Sequence, residues 1–169
     1  MWRNWCLIIL CGALGAGCAG YRLGPTNGQV AGAKSMQVSL FRNETFEPRL
    51  SDAVGTALRR RLQQDGTYRL STRGEADIIV TGVITKYQRM GVSFQPQDVI
   101  TPSDFQITMT AKVTATERNT GRVVLNRDVG GRTTIRIGPD LASAERQAVP
   151  MLADDLARNI TGLLVDGTW

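Results

Sequence analysis

Residues Phe105 to Ala115 read FQITMTAKVTA, an alternation kept without a break. Phe105, Ile107, Met109, Ala111, Val113 and Ala115 fall on one side, with Gln106, Thr108, Thr110, Lys112 and Thr114 on the other. A period of two is the period of a strand. This segment therefore has one core face and one Thr-rich face that meets water or a polar partner. A strand of this length needs neighbours. Arg118-Asn119-Thr120-Gly121 supplies residues suited to positive φ, so a hairpin turn is expected there. Arg122 to Ile137 then returns as a strand, interrupted at Gly130-Gly131 and ended by Gly138-Pro139-Asp140. Upstream, Asp77 to Phe94 reads as a long extended run. Ile78, Val80, Ile84, Met90, Val92 and Phe94 share one parity in it, with Gly82 as a bulge or a close approach. Gln95 to Ser103, carrying Pro96 and Pro102, reads as a loop.

Met36 to Phe41 alternates in the same way, and Arg42-Asn43-Glu44-Thr45 breaks it. Pro48 to Gln64 is the first helix. Its stripe is Leu50, Val54, Ala57, Leu58 and Leu62, and Asp65-Gly66 is its left-handed stop. Thr67 to Leu70 is a short strand, followed by a turn over Ser71 to Glu75. Leu141 to Leu164 is the second helix, which Pro150 should kink or split. The order β-α-β-β-β-β-α places helices at both ends of an antiparallel run. The fold class is α+β, with two helices packed on one face of a four- to five-stranded mixed, mostly antiparallel sheet.

Composition narrows the chemistry. The 169 residues contain no His, which excludes His catalysis, His metal sites and His pH switches. The three Cys are Cys6, Cys11 and Cys18, so no disulfide framework or thiolate zinc site follows residue 18. Met1 to Trp5 is short and positively charged, and Cys6 to Ala16 is apolar or small. Such a run spans about 16 Å, half of a bilayer core, so it reads as a secretory signal peptide. Leu14-Gly15-Ala16-Gly17-Cys18 resembles a bacterial lipoprotein processing site, with Leu14 one place early. The expected organisation is 1–17 signal peptide, 18–35 lipidated Cys18 and tether, and 36–169 one folded domain.

No catalytic constellation presents itself, and no cofactor is expected. Asp154-Asp155 are neighbours on a helix and point about 100° apart, as on a solvated face. The glycines near 130 and 138 lack phosphate-loop spacing. Of the 20 basic residues, 17 are Arg, the side chain that binds phosphate and carboxylate bidentately. Arg59, Arg60 and Arg61 sit on the first helix, as a solvated face or as a contact for phosphorylated lipid or an acidic partner. Arg127, Arg132 and Arg136 form a looser second group on the last strand. A formal net charge of only +5 speaks against nucleic acid.

Several short stretches stand in a telling order: Cys18-Ala19-Gly20-Tyr21-Arg22-Leu23, then Val38 to Thr45, Pro48-Arg49-Leu50, and Leu58 to Gly66. Ala76 to Gly82, the strand from Phe105, the Thr120-Gly121 turn and the Ala- and Leu-rich last helix complete the series. In that order they resemble the LptE family of lipopolysaccharide-assembly lipoproteins. The resemblance implies a periplasm-facing, lipid-anchored outer-membrane protein with no enzymatic activity. It would plug the lumen of a β-barrel partner, LptD, assist its assembly and handle lipopolysaccharide. Two other readings stay open: a small lipoprotein that regulates a cell-wall synthase or builds a secretion pore, and an exported enzyme without His.

Overall fold

A computed structural model of the chain describes residues 31–72, 75–136 and 140–167. The expected signal peptide, Cys18 and most of the tether lie outside the described residues, as does the Gly138-Pro139 stop. The strands are β1 Ser35–Val38, β2 Arg42–Asn43, β3 Arg69–Leu70, β4 Ile78–Gln95, β5 Asp98–Glu117 and β6 Val123–Arg136. The helices are α1 Leu50–Asp65, between β2 and β3, and α2 Leu141–Asp166, after β6. All strands join one sheet in the order β3-β1-β4-β5-β6, with β2 beside β4. β1 pairs parallel with β3 and β4, and β2 pairs parallel with β4, while β4, β5 and β6 form an antiparallel meander. The α+β class, the two helices and the mixed sheet agree with the expectation; the added β2 is a two-residue piece.

The alternation in β5 sorts as its chemistry requires. Ile107, Met109, Ala111, Val113 and Ala115 are buried, and both helices cover that side with Leu50, Leu58, Leu62, Leu152, Leu156 and Ile160. The Thr-rich side carries no second layer among the described residues. One polar lock orders the start of the sheet. The Asp77 carboxylate accepts from the Ser35 backbone N–H and hydroxyl, both at 2.7 Å, and the Asp77 N–H donates to the Ser35 hydroxyl at 3.0 Å. These bonds, the backbone one foremost, hold the Asp77 carboxyl below the usual carboxylate range.

Five expectations need correction. Helix α1 begins at Leu50 rather than Pro48, because Arg49 takes a left-handed conformation (φ 66°) that turns the chain into the helix. Pro150 does not split α2, which runs unbroken through it. Pro150 is exposed, so water can meet the carbonyl left without a donor. Gly130-Gly131 does not interrupt β6. A Cβ at Gly131 would lie 2.8 Å from the backbone N of Leu156, so this glycine lets α2 press onto the strand. The Gln95–Ser103 loop is instead a continuation of both strands around Pro96-Gln97. Finally, the parity of β4 changes. Ile84 faces Ala111 and Lys86 faces Thr110, so Thr85 is an extra residue, a bulge. Beyond it the core-facing positions are Tyr87 and Arg89, and Met90 faces Gln106 on the polar side, 70% exposed. Gly82, by contrast, is a close approach as anticipated: the buried Phe41 ring occupies the space that a Cβ there would take.

Candidate functional site

The paired helices carry most of the charged chemistry. Arg59, Arg60 and Arg61 are not a free cationic face. Arg59 bends back and donates to the Val38 carbonyl at 3.2 Å. Arg60 donates to Asp154 Oδ1 at 2.8 Å, and Arg61 grips both oxygens of the same carboxylate, with Nε at 3.1 Å from Oδ1 and Nη2 on Oδ2. Asp154 therefore bridges α1 and α2. Its carboxyl is held below the usual range, first by the Arg61 hydrogen bond, and that bond raises Arg61 in turn. Arg158, one turn along α2, reaches Asp155 at 2.9 Å and Asp154 at 3.8 Å. The expectation of a solvated Asp154-Asp155 face is thus corrected. The i,i+4 spacing of Asp154 and Arg158 is visible in sequence, but the long-range pairing to α1 carries no local signal.

The second arginine group divides. Arg127 faces the helix side, opposite Val113, while Arg132 and Arg136 face the polar side, opposite Thr108 and Asp104. Arg127 is exposed, without a hydrogen bond or ion pair among the described residues. Arg136 donates to Asp104 at 3.1 Å. Arg132 sits at the sheet edge, where its backbone N–H donates to Asp155 at 2.9 Å and Asn159 donates to the Gly130 carbonyl at 2.8 Å. Helix α2 thereby satisfies the middle of the β6 edge.

Two depressions flank the Asp154 bridge. A shelf of about 470 Å³ holds the exposed Met151 among Arg60, Arg132 and Arg158. A larger cleft of about 880 Å³ opens between the N-terminal half of α1 and the first turns of α2. Ala53, Ala57, Val149 and Pro150 line its floor, with Arg49, Arg60 and Arg146 around it. Arg60 and Pro150 belong to both depressions. Glu47 and Asp52 also line the larger cleft, so the surround of its apolar floor is of mixed charge. Among the described residues, no three acidic or Cys groups gather as metal ligands. Sequence reasoning misses Arg49, Arg146 and Arg158 as lining residues, since only the pairing of the helices brings them together.

Residues 33–162 match the family described as LptE, lipopolysaccharide-assembly. The chain belongs to the LptE family. No curated protein matches it in sequence. Solved structures share the fold. A protein from Xanthomonas campestris has a TM-score of 0.55 at 14% identity, covering 87% of this chain and 95% of its own. A hypothetical protein from Chlamydia trachomatis has a TM-score of 0.56 at 10% identity, over 79% and 96%. A minor lipoprotein from Acinetobacter baumannii has a TM-score of 0.52 at 16% identity, over 79% and 93%. At these identities the likeness is one of fold alone. Among the described residues of this LptE family member, no helix is long and apolar enough to cross a membrane.

Proposed function

We propose that this LptE family member is an outer-membrane lipoprotein, anchored through Cys18, that plugs a β-barrel LPS translocon of the LptD kind. In that place it assists barrel assembly and helps deliver lipopolysaccharide to the outer leaflet. The family match carries the reading, because residues 33–162 take in nearly all of the folded domain. The surface supports it. A barrel lumen is polar, and a plug needs a polar exterior. The uncovered Thr-rich face of β5, with Lys112 and the Arg132 and Arg136 row beside it, supplies one. For anionic lipid, the exposed Arg127 and Arg132 are the contacts we favour over Arg59, Arg60 and Arg61, which are engaged within the fold. Anchoring by several acyl chains, at about 0.8 kcal/mol per buried CH₂, makes attachment firm without a spanning helix.

The test is affinity purification of the tagged full chain from detergent-solubilised outer membrane, with mass spectrometry of its partners. A stoichiometric large β-barrel is expected. An inner-membrane cell-wall synthase in its place would transfer the reading to a regulator. In the same strain, Cys18→Ala should move the protein from the membrane to the soluble fraction; unchanged attachment would refute the anchor.

A further inference from the structure

The ladder on the outer side of β4 stops short. β2 pairs with β4 only at Val83 and Ile84, and its last rung is the Glu44 N–H donating to the Ile84 carbonyl at 3.0 Å. The chain is then turned away. Asn43 Oδ1 accepts from the Thr45 N–H and hydroxyl, and Asn43 Nδ2 donates to the Glu47 carbonyl at 2.6 Å. Past that point β4 runs on to Gln95 with β5 as its sole strand neighbour among the described residues.

The direction of the free groups follows from the register. The Ile84 carbonyl points outward, since it accepts from Glu44. The bulge at Thr85 shifts the parity by one, and antiparallel pairs alternate between bonded and non-bonded. Tyr87, Arg89 and Gly91 therefore turn their N–H and C=O away from β5, along an edge of about 13 Å. A cleft of about 390 Å³ lies against this edge, formed by Glu44 to Glu47 on one wall and Thr85 to Gln88 on the other. Phe46 stands fully exposed at its rim, and Met90, Val92 and Phe94 are exposed further along β4.

We propose that this edge is a docking site for an extended strand of the partner barrel, a loop segment of alternating apolar and uncharged polar residues that adds to the sheet beside β4. The proposal rests on the plug reading given above. Alternating backbone donors and acceptors are matched by another backbone and not by a lipid tail. Phe46, exposed at the cleft rim, and Met90, exposed on the polar side of β4, offer apolar contact to the incoming strand. A second copy of the chain fits poorly, because antiparallel pairing of two such edges about their centre sets Arg89 against Arg89.

The experiment compares Arg89→Pro with Arg89→Ala in the tagged full chain. Both lose the Arg89–Glu145 ion pair and the stacking of Arg89 over Phe105. Only the proline removes the outward N–H, at a position where no bond to β5 is lost. Barrel recovered with Arg89→Pro should fall at least tenfold below that with Arg89→Ala. Equal recovery would overturn strand addition and leave the plug reading standing; no barrel with the wild-type chain would overturn both. Hydrogen exchange on the wild-type complex covers the case in which the proline variant does not fold. The amides of Tyr87, Arg89 and Gly91 should exchange at least tenfold more slowly in the complex than in the free chain. Unchanged rates there would also overturn the proposal.

Discussion

Two glycines decide how closely the layers approach. At Gly82 the obstacle to a side chain is the Phe41 ring. At Gly131 it is the backbone of α2 itself, with Leu156 N and Cα at 2.8 and 2.9 Å from where an alanine methyl would sit. A ring can tilt, but a helix backbone moves only as a unit. Gly131→Ala should therefore lower stability by about 1–3 kcal/mol, the range for overpacking. Urea denaturation measures this, and an unchanged midpoint would mean that α2 does not press on β6. Only part of this is legible in the sequence. Gly82 reads as a bulge or a close approach, whereas Gly131 reads as a break, because a glycine that admits a neighbouring helix looks locally like one that ends a strand.

At the scale of elements, α2 runs on through Pro150 with one fewer backbone hydrogen bond. Pro150→Ala restores an N–H opposite the Arg146 carbonyl and removes the ring, and it should stabilise the chain by about 1–3 kcal/mol. A loss of stability on thermal melting would show instead that the proline's place in the cleft between the helices matters more than the helix ladder. Strand β5 is readable along its length because one face is buried and the other is not. Strand β4 is readable only to Ile84. Its bulge has no signature in Thr85, which alternates as well as its neighbours do, so the pattern puts Met90 on the wrong face. The arginine sites are legible as residues and not as contacts: nothing local in Arg60-Arg61 announces a carboxylate on another helix.

For the whole molecule, the absence of His shapes the response to pH. Asp77, Asp98, Asp104, Glu117, Asp140 and Asp154 are all held below their ordinary values by hydrogen bonds. A depressed carboxyl contributes stability above its unfolded value, and that stability is lost as pH falls through the folded value. Burial pushes Tyr68 and Tyr87 from 10.0 up to about 12. A raised phenol contributes stability below its unfolded value, lost as pH rises towards 12. The melting temperature should accordingly be flat from about pH 5 to about pH 9 and fall on both sides. Asp77→Asn should show a shallower acid limb than the wild type. A step near about pH 6.5, where an imidazole would titrate, would contradict the account.

The Ser35–Asp77 lock also sets a direction. It fixes where the described chain joins the sheet, at the end where Ile78 faces Glu117 and Lys34 pairs with Glu117. The Pro96-Gln97 turn closes the opposite end, 18 residues of β4 away. At about 3.3 Å per residue that arm is about 60 Å long, twice the thickness of a bilayer's hydrocarbon core. Were the chain held by its leading residues, the turn at the far end of β4 would stand about two core thicknesses from the start of the sheet.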